Sequence, residues 1–251
     1  MNKIVVYTSS FGKNHGVVPQ KEIDGVDFIC FTDEVSKVKG SWKPMLFKNS
    51  EVKKDHLKNR HSKLLPHLYF KEYEISIYID NNYLIIGDLI NLLDELKDFK
   101  MAIFDHNQSK DARDCVYDEY DAILELGKKK RNYKDDPIIM KKQLDFFIDQ
   151  NYPKNNGLIF AAVLIRRHND KQVISLMEDW WSMVSTKSKR DQLSFNYLAW
   201  KHNFIPNIIN GDLRKGNPYF YYLAHARKNY TKKIILYKIN RFFGIKMHPE
   251  N

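Results

Sequence analysis

Ile75-Ser76-Ile77-Tyr78-Ile79-Asp80, followed by Asn81 and Asn82, is a run of β-branched and aromatic residues that ends on a carboxylate. Residues of this type suit a pleated, buried surface, so the run predicts a strand over 75–79 with Asp80 at its carboxyl end. Working outward, Lys3–Thr8 (KIVVYT) and Val26–Thr32 (VDFICFT) read as strands of the same kind. The first runs into Ser9, Ser10 and Gly12, the second into Asp33 and Glu34. Trp42–Lys48 is a third, weakened by Pro44. Leu57, His61, Leu64, Leu65 and Leu68 share one helical face, with a break expected at Pro66. Asp88–Asp98 predicts a short helix, Met101–Phe104 a strand, and Tyr117–Leu126 a helix stopped by Gly127. Pro137 fits the first turn of a helix carrying Met140, Leu144, Phe147 and Ile148 on one face. Leu158–Ile165 is an eight-residue apolar run that predicts a strand buried on both faces. Val173, Leu176, Met177, Trp180, Trp181 and Val184 form a helical stripe that reads as core. Strands alternating with helices imply an α/β fold, an α/β/α sandwich around a mostly parallel central sheet.

The 251 residues suffice for one sizeable α/β domain or two small ones. The 14% aromatic content argues against disorder. Two cysteines exclude a disulfide framework and a four-cysteine zinc site. No apolar run approaches the roughly 20 residues that cross a bilayer. The opening MNKIVVYTSS is too short in apolar residues for a signal-peptide core, so a cytoplasmic location is expected. The net charge of +10 points to an anionic partner, whether nucleic acid, nucleotide phosphates or an acidic membrane surface, and by itself does not choose. Composition changes near residue 226, dividing a main domain over 1–225 from a basic amphipathic tail over 226–251.

Open α/β sheets take ligands at the carboxyl ends of their strands. Thr8, Ser9, Asp33, Asp80 and His106 lie there on this reading. A strand-ending aspartate that caps a turn is at least as common as one that binds a ligand. Arg60 and Lys63 stand one helical turn apart, so both can face one anion, or simply form a solvated basic turn. Lys128–Arg131, with Lys134, reads as a basic surface segment. No dinucleotide fingerprint, P-loop or helical zinc pair is present.

Several segments in order carry a resemblance. They are FICFTD (28–33), Arg60 with KLLPHLYF (63–70), ISIYID (75–80), His106, RDCVYDE (113–119), Gln143 before Tyr152, Arg166-Arg167-His168, Trp180-Trp181 and RDQLSF (190–195). Over residues 3–200 the set resembles the glycosyltransferase-like proteins grouped as domain of unknown function 616. The resemblance implies a GT-A type fold and sugar transfer from a nucleotide-sugar donor to a polysaccharide, glycolipid or other glycan acceptor. Asp80-Asn81-Asn82 resembles the Asp-x-Asp motif of nucleotide-sugar glycosyltransferases, in which carboxylates hold a divalent ion, Mn²⁺ or Mg²⁺, against the donor diphosphate. Asn82 replaces the second carboxylate and brings no charge. By the same resemblance Thr8, Ser9 and Asp33 cradle the nucleotide base, and Arg60 and Lys63 take the diphosphate. Asn156, in Asn155-Asn156-Gly157, lines the sugar pocket. Asp191-Gln192 is similar to the Asp-Gln that opens a late helix in glycogenin-like transferases. Asp191 then binds sugar hydroxyls or deprotonates the acceptor, with Gln192 beside the donor; the plain alternative is a helix N-cap. His106, Arg113 and Glu119 match without a role, and a buried polar network fits them equally.

Two other classes stay open. A sugar-phosphate nucleotidyltransferase would use Ser9–Gly16 (SSFGKNHG), with Lys13, as a phosphate loop. A non-enzymatic nucleic-acid binder is compatible with the charge, but no binding module is evident, so no nucleic-acid partner is expected. The tail holds Lys232, Lys233, Lys238, Arg241 and Lys246 and no acidic residue between Thr231 and Met247. Ile235, Ile239 and Phe242 fall at helical spacing, with Leu236 and Phe243 beside them. Such a helix lies in an anionic membrane interface, at the inner face of the membrane, or packs on the main domain, and the two coexist if only the basic side meets lipid.

Overall fold

The computed structural model describes residues 3–12, 16–223 and 230–243. Its central sheet is built from β1 (Ile4–Ser10), β2 (Val26–Thr32), β3 (Lys43–Leu46), β4 (Ile75–Ile79), β6 (Met101–Asp105), β7 (Ile159–Arg166) and β8 (Asn207–Ile209). The strand order is β3-β2-β1-β4-β7-β6-β8. Two further strands, β5 (Tyr83–Ile85) and β9 (Phe220–Tyr222), pair antiparallel as a separate ribbon. The helices are α1 (Asp55–Leu64), α2 (Leu89–Leu96), α3 (Val116–Lys130), α4 (Pro137–Asp149), α5 (Lys171–Thr186), α6 (Phe195–Lys201) and α7 (Tyr230–Phe242).

Period-two alternation along β1 divides the core. Val5 and Tyr7 face a layer formed by Leu64 of α1, Leu144 and Phe147 of α4, and Leu176 and Trp180 of α5. Ile4 and Val6 face Leu89, Leu92 and Leu93 of α2 and Phe220 of the ribbon. The result is the expected α/β/α sandwich. The sheet is mostly parallel: β1 pairs parallel with β2 and β4, β2 with β3, and β6 with β8. β7 alone runs antiparallel to both of its neighbours, β4 and β6. It is buried on both faces, as its apolar run requires, because helices cover both sides.

β4 spans the expected residues, and β3 lies at the sheet edge, where Pro44 withholds no ladder donor. Helix α1 ends at Leu64, and Pro66 opens a single 3₁₀ turn, so the break falls where the proline requires it. Gly127 does not stop α3, which continues to Lys130 and ends with Arg131 in the left-handed region, φ 51°. Its role is steric: a β-carbon at Gly127 would lie 2.1 Å from the Tyr133 ring. β5, β8 and β9 were not expected; each has three residues, too few to show a period.

Candidate active site

Beyond the carboxyl end of β4 lies a cleft of about 230 Å³. Asp80, Asn82 and Tyr83 come from the turn into β5, and Phe160, Ala161 and Ala162 from the start of antiparallel β7. The Asp80 amide donates to the Ala162 carbonyl at 2.8 Å, which closes this floor. Arg60 and Lys63 enter from α1, Arg190, Asp191 and Gln192 from the segment before α6, and Lys134, Arg214 and Tyr222 from three further places in the chain. Five basic side chains thus share the cleft with two carboxylates.

Lys63 is nearly inaccessible and fixed at both ends. Its carbonyl accepts from the Tyr7 hydroxyl at 2.8 Å and from Nη2 of the buried Arg166 at 3.0 Å. Its ammonium donates to Asp191 Oδ2 at 2.6 Å and stands 4.0 Å from Asp80 Oδ1. Arg60 Nε approaches the same Asp191 oxygen at 3.3 Å. Burial raises the proton affinity of Asp191, but Arg60 and Lys63 outweigh it and hold the carboxyl far below the usual range. Trp180 Nε1, from α5, donates to the Asp191 carbonyl at 3.0 Å and anchors its backbone. Asp191 is not the residue that caps α6, which is Ser194; its Oδ2 is committed to the cleft cations, while its Oδ1 accepts from the Gln192 amide at 3.1 Å. Asp80 is more open, with 40% of its side chain exposed, and its Oδ1 accepts from Tyr78 at 2.9 Å.

A second network stands behind the wall. Glu119 Oε2 accepts from Arg113 Nε at 2.9 Å, while its other oxygen lies 3.7 Å from Arg190 Nη2. Asp111 likewise bridges Arg113 and Arg214. Arg113 Nη2 donates to His106 Nε2 at 3.0 Å, which leaves the ring proton on Nδ1, 3.2 Å from Ser109 Oγ. The ring stacks on Phe160 with centroids 5.4 Å apart. Burial, and then Arg113, push the His106 pKa down to about 4, so the imidazole is neutral. His106, Arg113 and Glu119 thus form the polar network that was one of their two readings, and it positions Arg190 and Arg214. The Nε atoms of Arg190 and Arg214 are buried and have no partner among the described residues. Both guanidinium groups line the cleft, and their positive charge is suited to an anionic ligand there.

Arg60, Lys63, Asp80, Asn82, Asp191 and Gln192 converge on the cleft as the sequence suggested. Thr8, Ser9, Asp33 and Asn156 do not line it. Thr8 is buried inside β1. Ser9 Oγ accepts from Asn59 at 2.6 Å, and Asn59 in turn accepts from Arg60 at 2.8 Å, so Ser9 supports Arg60 from behind. Asp33 is occupied by the Gly12 amide at 2.9 Å and by Lys37 at 3.3 Å. Asn156 is exposed, and its carbonyl accepts from Asn196. Lys13 lies outside the described residues. Lys134, read as surface, and Arg190 and Arg214, unassigned, are the basic cleft residues that spacing did not reveal.

Asp80 and Asn82 do not make a divalent-ion site by themselves. They offer one charge, Asp80 Oδ1 is already engaged by Tyr78, and the buried ammonium of Lys63 stands between the cleft's two carboxylates. Among the described residues no three His, Cys, Asp or Glu side chains converge as a metal-ligand set.

The family model described as TOD1/MUCI70, glycosyltransferase-like domain, matches residues 26–210. No curated protein matches the chain. Among solved structures, it is similar to the apo form of the bifunctional glycosyltransferase WbbM, at 10% identity and a TM-score of 0.47, over 83% of this chain and 39% of that one. It is also similar to apo mouse xyloside xylosyltransferase 1, at 9% identity and a TM-score of 0.44, over 100% of this chain and 94% of that one. A third is core-mannan synthase A from Aspergillus fumigatus in its Mn/GDP form, at 7% identity and a TM-score of 0.44, over 79% and 70%. The chain spans less than half the length of WbbM.

Proposed function

The chain belongs to the TOD1/MUCI70 glycosyltransferase-like family, and from that premise we propose that its cleft transfers a sugar from a nucleotide-sugar donor to a glycan acceptor. The observation that carries this reading is the charge balance of the cleft. Five basic side chains face two carboxylates, and one of those carboxylates is already neutralised by Arg60 and Lys63. A donor diphosphate supplies the missing negative charge. In transfer, the bond between the anomeric carbon and the diphosphate oxygen breaks and the diphosphate gains a charge. The acceptor hydroxyl oxygen bonds to that carbon and loses its proton. Fixed cations at the leaving oxygens stabilise that developing charge without reorganising.

Arg190 and Arg214, supported by Glu119 and Asp111, are assigned to the diphosphate, with Lys134 at the rim. Asp191 is assigned to sugar hydroxyls rather than to proton abstraction, because a carboxylate held strongly ionised is a weak base. Asp80 is the second sugar-facing carboxylate. Basic side chains take the place of a divalent ion in holding the diphosphate.

Donor hydrolysis, screened across nucleotide-sugars with and without EDTA, tests the proposal. The expected result is turnover of at least one donor, unchanged by EDTA. Turnover that requires added Mn²⁺ or Mg²⁺ would overturn the metal-free part, and no turnover with any donor would count against transfer itself.

A further inference from the structure

Among the described residues, helix α7 packs by one side only. Ile234 and the buried Tyr237 pack with Val18, Leu84 and Leu223. Lys233 Nζ donates to the Leu223 carbonyl at 2.6 Å, and Arg241 Nη1 to the Tyr237 hydroxyl at 3.4 Å. The residues that sequence periodicity singled out are not the ones that pack. Ile235, Leu236 and Ile239 are about half exposed, and Phe242 and Phe243 are 84% and 68% exposed. At 100° per residue these five occupy an arc of about 120° opposite the packed side. Lys232 lies within that arc and Lys238 on its shoulder, both exposed. The described helix contains no carboxylate.

We propose that this face of α7 seats the protein on an anionic lipid surface. A helix that carries large apolar side chains on one arc and basic side chains in and beside it lies in the plane of a membrane interface, its lysines reaching up to the headgroups. A second copy of the chain is the other occupant to weigh. Pairing like faces would bring Lys232 and Lys238 against their own counterparts with no acidic residue in the helix to offset them, whereas anionic headgroups complement them. No described helix is long and apolar enough to cross a membrane, so attachment is to the surface.

The position of α7 gives the surface a use. The β5–β9 ribbon is one layer thick and alternates. Leu84, Tyr221 and Leu223 face α7, while Tyr83 and Tyr222 line the cleft. A membrane under α7 is therefore separated from the cleft by the ribbon and by the helix itself, roughly 10 Å across, a span that the glycan of a glycolipid acceptor can cover. That last step rests on the proposed function; the docking does not.

Co-sedimentation of the full chain with vesicles tests docking independently of catalysis. The probes are phosphatidylcholine vesicles with and without phosphatidylglycerol, at low and high salt. The wild type is expected to pellet with anionic vesicles, less so at high salt, and weakly with neutral ones. The Ile235→Glu/Ile239→Glu variant is expected to partition on the order of 100-fold less, two apolar contacts being lost at roughly tenfold each. Lys232→Gln/Lys238→Gln should weaken anionic binding and flatten its salt dependence. Both variants change exposed positions, and unchanged far-ultraviolet circular dichroism and donor binding check their fold. Wild type that stays in the supernatant, or wild type and glutamate variant that pellet equally, would overturn the proposal. So would a wild-type dimer that the glutamate variant converts to monomer without any vesicle binding.

Discussion

Lys63 touches both carboxylates of the cleft, and its removal has two separable consequences. Lys63→Met removes one of the two cations that pair with the buried Asp191 and leaves Arg60, a loss of about 1.5–3 kcal/mol. Urea unfolding should show that loss together with abolished donor hydrolysis; a variant as stable as wild type would contradict the geometry. Asp80→Asn differs, because its side chain is partly exposed and its volume is kept. It should unfold like wild type and lose most transfer activity, and wild-type turnover in that variant would remove Asp80 from the chemistry. His106 gives a pH signature. An unfolded histidine takes its proton near 6.5, whereas folded His106 resists down to about 4. Between those values the unfolded chain binds more protons, so stability falls as pH falls through that window, by about 3 kcal/mol in total. His106→Gln should flatten this slope between pH 6.5 and 4, and an unchanged slope would place the titration elsewhere. Asp80, Asp191, Arg60 and Lys63 were legible because each sits at a strand end, at a helical spacing or in a resembling motif. Lys134 and Arg214 come from irregular segments far apart in the chain, where no period exists to read, and Arg190 was quoted beside Asp191 without a role.

The elements that sequence revealed are those long enough to repeat. Seven residues in β1 or sixteen in α5 are long enough to read, while the three-residue strands that wall the cleft are not. Apolar composition also announced that β7 is buried without giving its direction, since side chains alternate alike in either orientation. That direction matters, because it brings the start of β7 to the carboxyl end of β4. Gly157 controls the entry. It has φ 84°, and a β-carbon there would stand 2.8 Å from Asn196 Nδ2. Asn196 Oδ1 accepts from the Ile159 amide at 2.8 Å. Gly157→Ala combines a left-handed backbone with displacement of that clasp, and roughly 1–2 kcal/mol of stability should be lost. Chemical denaturation reads this directly; a neutral or stabilised variant would show that the turn relaxes freely. The tail carries the converse lesson. Its amphipathic pattern was plain, but two apolar arcs were available, and only tertiary contact decided that Ile234 and Tyr237 pack while Ile235 and Ile239 do not.

For the molecule as a whole, a net charge of +10 pointed to an anion without saying which. The fold gathers five of those cations into one cleft at the carboxyl end of β4, and the family match favours transfer over nucleotidyl chemistry or nucleic-acid binding. On the proposed reading, this cleft holds a nucleotide diphosphate by side chains alone. Calorimetric titration of UDP, GDP, ADP and CDP in EDTA tests it most directly, on wild type and on Arg190→Gln/Arg214→Gln. At least one should bind the wild type in EDTA. The double variant should bind on the order of 100-fold more weakly, as two charge-assisted contacts are lost at roughly tenfold each. Equal affinity for wild type and variant, or no binding until a divalent ion is added, would contradict it.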